Sequence, residues 1–409
     1  MTDRSLKALA AAPFLAIVSA LPVMAADAAT EVPKVSDPVT HANLSIYFVK
    51  GPSDPGPVPL TLDEALEKGS VKVHETQQVS ELEIENTGDS AVFVHAGDIV
   101  KGGQQDRVLT VTILVPPKSG RVPIASFCVE RGRWTARGSE EVATFASSKA
   151  FMPSLEGKRA MRTAQKAEAI AALAADPSAT GSTAGVDAGA AAGEPAVQAA
   201  VPESGELPLP EGEPRGVRTM TLNGQGEPVE SSRLAAPDAQ SEVWRNVDAM
   251  QSALGMSLSA NVTAAASPSS LQLALENEKL AKAQAEYVAQ LQPKGEQDGD
   301  IVGLVIAVNG TVKSADVYPS NALFRKFWAK HLNAAATEAI ARRDDTSAIV
   351  PEPAKADVEA FLADARNGVR AEQPLGEALD LEISEGKQAE SFASRLKDGK
   401  LLHLNVLGK

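Results

Sequence analysis

Between Gly97 and Trp134 the chain reads GDIVKGGQQDRV, then a β-branched run, then CVERGRW. No other stretch restricts the fold as much. Asp98, Asp106 and Glu130 stand beside Arg107, Arg131 and Arg133 at the ends of strongly β-patterned segments. Bare charge is expensive to bury, so these groups must face one another or face a ligand. Gly102-Gly103 and Lys118-Ser119-Gly120 are turn signals that bring both polar words to one end of a sheet.

The remaining pattern points to an α+β fold: a largely antiparallel β core with covering helices, interrupted by a long low-complexity insertion. Leu44–Val49 reads as a strand. Thr61-Leu62-Asp63-Glu64 is a capping box opening a short helix that Gly69 closes. Alternating segments around Val71, Leu82 and Val92 form a meander with one wet face. Val108–Val115 is apolar or β-branched throughout and predicts one strand buried on both faces, with Val122–Val129 beside it. Leu155–Ala175 is helical in pattern with a thin alanine face. Helical spacing returns from Ser241, and Ser269 or Ser270 can cap a longer helix through Leu273, Leu280, Tyr287 and Leu291. Ile301–Val308 and Val312–Val317 flank Asn309-Gly310, the strongest hairpin signal in the chain. A helix carries Phe324, Trp328 and Leu332, another carries Val358 and Phe361, and two tail strands follow.

Between Asp176 and Pro214 lie seven acids and no base, half of the formal net charge of −14. Large side chains are too sparse there to offset backbone ordering, so 176–237 reads as a flexible acidic insertion. The organisation is then a signal peptide over 1–25, the first part of one domain over 43–175, the insertion, the second part over 238–350, and a closing helix and strands over 351–409. The signal reading rests on Arg4 and Lys7, the apolar run Ala8–Val23, and Val23-Met24-Ala25 as a small-x-small cleavage site. It places the chain in the periplasm or outside the cell, with no stable membrane anchor after cleavage. No dense basic stripe appears, which argues against nucleic acid. With Cys128 the only cysteine, no intramolecular disulfide can form.

Gly97-Asp98, the run from Gly102 to Val108, Val115-Pro116-Pro117 and Phe127–Trp134 together resemble the ARG and Rhodanese-Phosphatase-superfamily-associated protein domain family. A second block continues the resemblance: Gly303-Leu304-Val305, Asn309-Gly310, Ala315-Asp316 and Leu323–Trp328. It implies no established activity. The family's name reflects association with ADP-ribosylglycohydrolase and phosphatase-type proteins, a pointer towards nucleotide-derived or phosphorylated ligands and not a mechanism.

The candidate chemistry follows from these residues. Asp98, Asp106 and Glu130 are the catalytic candidates, as acid–base pair or cation ligands; as a structural network they would neutralise the arginines instead. Gly102, Gly103, Gln104 and Gln105 can offer backbone amides to an anion, although the segment lacks the Lys-Ser/Thr ending of a P-loop and a tight hairpin explains it equally. Arg107, Arg131, Arg133 and Trp134 are ligand-binding candidates, Trp134 as a stacking plane. Asp316 joins them if the second block folds against the first. Cys128 reads as a small buried hydrophobe rather than a nucleophile. His41, His74, His95, His331 and His403 show no ligand spacing, so neither a metal nor another cofactor is expected, and His95 reads as an ordinary strand residue. No G-x-S-x-G elbow supports a serine hydrolase. The leading expectation is an exported domain binding a small ligand or a protein partner through the Asp/Glu/Arg/Trp surface. The alternatives are a hydrolase of phosphorylated or ADP-ribose-like substrates, and an interaction protein tethered through its acidic insertion.

Overall fold

Side-chain alternation along Leu44–Lys50 builds the central sheet. Leu44, Ile46 and Phe48 point into one apolar cluster, and Tyr47 and Val49 into another on the opposite face. The neighbouring strand Ile301–Val308 repeats this, with Leu304, Ile306 and Val308 on the first face and Val305 and Ala307 on the second. Burial of each large aliphatic chain contributes about 1.5–3 kcal/mol, which is why apolar side chains dominate both faces of these strands, with Ser45 a buried polar exception. Helices Glu278–Gly295 and Asn321–Ala341 cover the first face, through Tyr287, Leu291, Phe324 and Trp328 among others. Helix Lys355–Arg366 covers the second with Val358, Phe361, Leu362 and Ala365.

The computed structural model describes residues 34–175, 219–222, 228–231, 237–343, 351–376 and 378–409. The main path of the central sheet runs Lys34–Val35, Leu44–Lys50, Ile301–Val308, Thr311–Val317, Leu401–Gly408, Ala389–Leu396, Leu379–Glu385, Val369–Leu375, with antiparallel neighbours throughout. The two sequence blocks therefore meet strand to strand, Phe48 opposite Leu304. The described residues fall in one compact unit. A six-stranded antiparallel sheet runs Phe145–Phe151, Asp98–Gly102, Arg107–Leu109, Arg121–Cys128, Glu81–Asn86, Val71–Gln78. A smaller sheet joins Ile113–Val115, Val92–Val94 and Leu60–Thr61. The architecture is the expected α+β class, with largely antiparallel strands and covering helices.

Several local expectations hold in detail. Thr61 and Glu64 form the reciprocal capping box. Asn309 and Gly310 both take positive φ at the hairpin tip, 51° and 70°. The helix expected to carry Phe324, Trp328 and Leu332 is present as Asn321–Ala341. Others need correction. The single strand expected over Val108–Val115 is two short ones in different sheets, because Thr110–Thr112 leaves the ladder to serve polar contacts. The long helix expected after Ser270 is two, Leu271–Leu275 and Glu278–Gly295, restarted by Asn277 as a second N-cap. The tail holds four strands rather than two. The expected signal peptide lies outside the described residues. So does most of the expected insertion, where the described part is a two-stranded ladder, Thr219–Leu222 with Pro228–Ser231.

Candidate functional site

The glycine-flanked motif closes on itself. Gly102 and Gly103 take positive φ, 115° and 55°, and a Cβ on Gly103 would stand 2.3 Å from the Phe145 ring. The turn therefore needs glycine for its geometry and for its close approach to Phe145. Its amides are spoken for: Gly102 N donates to Asp106 Oδ1 at 3.0 Å, Gly103 N to Glu141 O at 3.1 Å, and Gln104 N to Glu75 Oε2 at 3.4 Å. None of these three is left for an anion. Gln105 is fully buried.

Arg137, which the sequence reading passed over, anchors the cluster. Its guanidinium grips Asp106 with two bonds, 2.9 and 3.0 Å, and reaches Glu140 at 2.9 Å. Ser270 Oγ donates to Asp106 Oδ2 at 2.7 Å. Glu130 Oε1 accepts from Arg133 Nε at 2.6 Å and Glu130 Oε2 from the Asp106 amide at 2.9 Å. Burial pushes the Glu130 carboxyl up, but Arg133 and the further hydrogen bonds outweigh it and hold it below the ordinary value. Arg107 is wholly buried, donating to Val79 O at 2.8 Å, to Glu75 at 3.3 Å and to Cys128 Sγ. Burial pushes the Cys128 thiol up to about 11, the wrong direction for a nucleophile. Asp106 and Glu130 thus face arginines inside the protein. Arg131 stands exposed and Trp134 is 43% exposed, and neither takes part in the closed pairs described above.

Asp98 belongs elsewhere, to a second and wholly buried polar centre. Its backbone N–H donates to His95 O at 3.0 Å, and its Oδ2 accepts the His95 N–H at 2.9 Å. Gly97, at φ 101°, permits that tight turn. Lys330 Nζ holds Asp98 Oδ1 at 2.6 Å and Asp63 at 2.9 Å, and lies over the Phe151 ring. Burial raises the Asp98 carboxyl to about 6 despite Lys330. The Gly97-Asp98 word therefore fixes the backbone that carries His95.

His95 faces Asp316, His331 and His403. Asp316 and Tyr318 follow alternate positions of one strand direction, and His403 and Asn405 sit on the neighbouring strand Leu401–Gly408, with Asp316 opposite Asn405. His331 comes from helix Asn321–Ala341, one turn beyond Phe327. Asp316 Oδ1 lies 3.2 Å from His403 Nε2, 3.8 Å from His95 Nε2 and 3.0 Å from Asn405 Nδ2; its Oδ2 lies 3.7 Å from His331 Nδ1. Asp316 thus joins the histidines, not the arginines Arg107, Arg131 and Arg133 as the sequence reading had it.

The hydrogen bonds define the tautomers. His95 Nδ1 meets the carbonyl of Ala96 at 2.6 Å, so Nδ1 carries the proton and Nε2 accepts from Tyr318 Oη at 2.8 Å. Tyr318 Oη in turn accepts from His331 Nε2 at 2.5 Å. Burial holds the His95 imidazole well below its ordinary value and that of His331 at about 4; His403 is lowered in the same way. Burial pushes the Asp316 carboxyl up, while His331, His403 and His95 outweigh it and hold it low. The centre therefore combines neutral imidazoles with a carboxylate. A small cavity of about 10 Å3 opens against His95, Asp316, His331 and Asn405, room for roughly one water-sized body. Lys158 and Arg162 also line it, and burial lowers Arg162 to about 10. Of its walls, Ala96 and Lys158 alone are part-exposed, which puts the mouth there.

Fold and site together define an α+β domain with a buried histidine–carboxylate centre and a separate glycine-turn brace. The chain belongs to the family of the ARG and Rhodanese-Phosphatase-superfamily-associated Protein domain, whose model matches residues 33–176 and 216–407. The unmatched interval falls inside the stretch read as an insertion. No curated protein and no solved structure matches the chain.

Proposed function

We propose that this protein is a binding domain for a small ligand seated at the His95–Asp316–His331–His403 centre. One observation carries the reading: the cavity at this centre gathers imidazoles, a carboxylate, Lys158 and Arg162, whereas Asp106 and Glu130 are already paired with arginines. The cavity's size favours an ion or a water-sized group over a nucleotide in this conformation. The hydrolase reading is less favoured at the motif, because Asp106 and Glu130 are fully buried and paired with arginines. The same proposal takes the chain to be exported, on the basic start, apolar run and cleavage site of residues 1–25; sequencing the mature protein from a periplasmic or culture fraction should then read from Ala26.

A thermal-shift screen with divalent cations, inorganic phosphate, nucleotides and sugar phosphates tests the binding reading. A ligand at one hundred times its Kd stabilises by about 2.7 kcal/mol. The expected result is stabilisation by a small ion, abolished in Asp316→Asn and unchanged in Arg131→Ala and Trp134→Ala. Stabilisation by nucleotides that disappears in Arg131→Ala or Trp134→Ala would return the site to the exposed loop.

A further inference from the structure

We infer that the small ligand is a divalent transition-metal ion, held by His95 Nε2, His403 Nε2 and Asp316 Oδ1; this rests on the binding reading above. One ligand atom from each of the three residues lies within 4.8 Å of the other two, and all three residues are buried. Tetrahedral zinc, with bonds of about 2.0–2.1 Å, sets its ligand atoms about 3.3 Å apart. The observed 3.2 Å from His403 to Asp316 already matches, the 3.8 Å from His95 to Asp316 requires a shift of a few tenths of an ångström, and the His95–His403 separation, which is bounded at 4.8 Å, must close to the same value.

A second observation points independently to a ligand. His403 Nε2 is buried and its one polar neighbour is Asp316 Oδ1 at 3.2 Å, a contact that falls outside strict hydrogen-bond geometry. Buried polar atoms are rarely left so. A metal ion accepts the lone pair without requiring that geometry.

The surroundings meet the needs of such a site. A metal-bound imidazole donates its other ring N–H to a protein acceptor. His95 Nδ1 already does so to Ala96 O. Thr112 Oγ1, 3.1 Å from His403 Nδ1, accepts the Ala96 N–H and keeps a second lone pair for the histidine. Asn405 steadies Asp316 Oδ1 at 3.0 Å. Asp98 is a positioning residue, since it grips the His95 amide and touches no donor atom of the set. On binding, the ion takes over the His95 lone pair that now accepts from Tyr318. Two neutral imidazoles and one carboxylate select a borderline ion of the zinc or cobalt kind over calcium or magnesium, which take oxygen ligands. The set leaves a position open, and the positive Lys158 and Arg162 at the cavity suit an anion or hydroxide there.

The test uses the full chain, stripped with chelator and titrated with Zn(II), with Co(II), and with inorganic phosphate alone. The expected result is one Co(II) per chain, visible d–d absorption of low-symmetry coordination, and displacement by Zn(II). Affinity should fall at least tenfold in His403→Gln and in Asp316→Asn, and should recover partly in Asp316→Glu. Should those variants fail to fold, the imidazole carbon resonances of wild-type His95 and His403 decide, because zinc must move both and leave His41 and His74 in place. Stabilisation by phosphate with no metal bound would overturn the metal assignment and leave the cavity reading standing. No response to any of the three would overturn both. Stoichiometric metal retained by folded His403→Gln and Asp316→Asn would place the ion elsewhere and sink the inference.

Discussion

Replacing Asp106 with alanine should destabilise the protein severely and leave ligand binding at the histidine centre intact. Asp106 accepts hydrogen bonds from Gly102 N, both terminal nitrogens of Arg137 and Ser270 Oγ. The carboxylate is fully buried, and Arg137 is 9% exposed. Removing one partner of such a pair strands the other, at a cost of about 3–5 kcal/mol. Glu130 and Glu140 still face Arg137, which keeps the loss towards the lower end of that range. At roughly 2 °C per kcal/mol for a large domain, the melting temperature should drop by about 6–8 °C. Urea denaturation beside differential scanning fluorimetry measures this, with Arg131→Ala as the control. Arg131 is exposed, so its loss should stay within about 0.5 kcal/mol. A folded Asp106→Ala protein within 1 kcal/mol of wild type would show that the Asp106–Arg137 grip is not a structural brace, and would return these carboxylates to the list of reactive groups.

Gly103→Ala should destabilise by about 1–3 kcal/mol, since its Cβ would meet the buried Phe145 ring and the residue keeps a positive φ; Gly132→Ala, strained in φ but with open space around it, should cost less. Cys128 should resist iodoacetamide at pH 7.5 until the chain is unfolded, because a thiol near pKa 11 is ionised in only about one molecule in 3,000 at that pH; rapid labelling of the folded protein would contradict its burial. On the acid side, the depressed carboxyl of Glu130 contributes stability present above its unfolded value and lost as pH falls through the lower folded one. Glu130→Gln should therefore flatten the fall in stability below about pH 4.5, and an unchanged slope would refute that contribution. Asp98→Asn should weaken metal binding about tenfold without abolishing it, read by Co(II) titration, because Asp98 steadies His95 from behind.

Much of the fold was legible because local and long-range signals agreed. The capping box at Thr61, the Asn309-Gly310 tip and the two-sided apolar strands at Leu44 and Ile301 each specify one geometry, and the structure uses each of them. Val108–Val115 misled because β-branched threonines fit a strand pattern, yet Thr110 and Thr112 are used for polar contacts: Thr110 O receives Arg162, and Thr112 Oγ1 receives Ala96 N. The helix after Ser270 misled in the opposite way, since Asn277 is an N-cap inside an unbroken apolar period.

The candidate site was only half visible. The glycine-rich motif was found, but spacing alone did not say that Asp98 turns towards His95 while Asp106 turns towards Arg137. The ligand set draws on positions 95, 316 and 403, separated by whole folding units, so no short motif exists to find. A weaker signal was present: polar residues interrupt apolar elements, His403 and Asn405 within LLHLNVL and His331 on the stripe of Phe324 and Trp328. Arg137 was missed because it stands beyond Trp134, where the apparent motif ends.

The most direct measurement is anomalous diffraction at the zinc edge from crystals of the full chain grown or soaked with one equivalent of zinc. The expected result is a single strong peak bounded by His95 Nε2, His403 Nε2 and Asp316 Oδ1, with Asp106 and Glu130 still locked to Arg137 and Arg133. A peak at the carboxylates of the glycine motif, or none within the histidine centre, would contradict it.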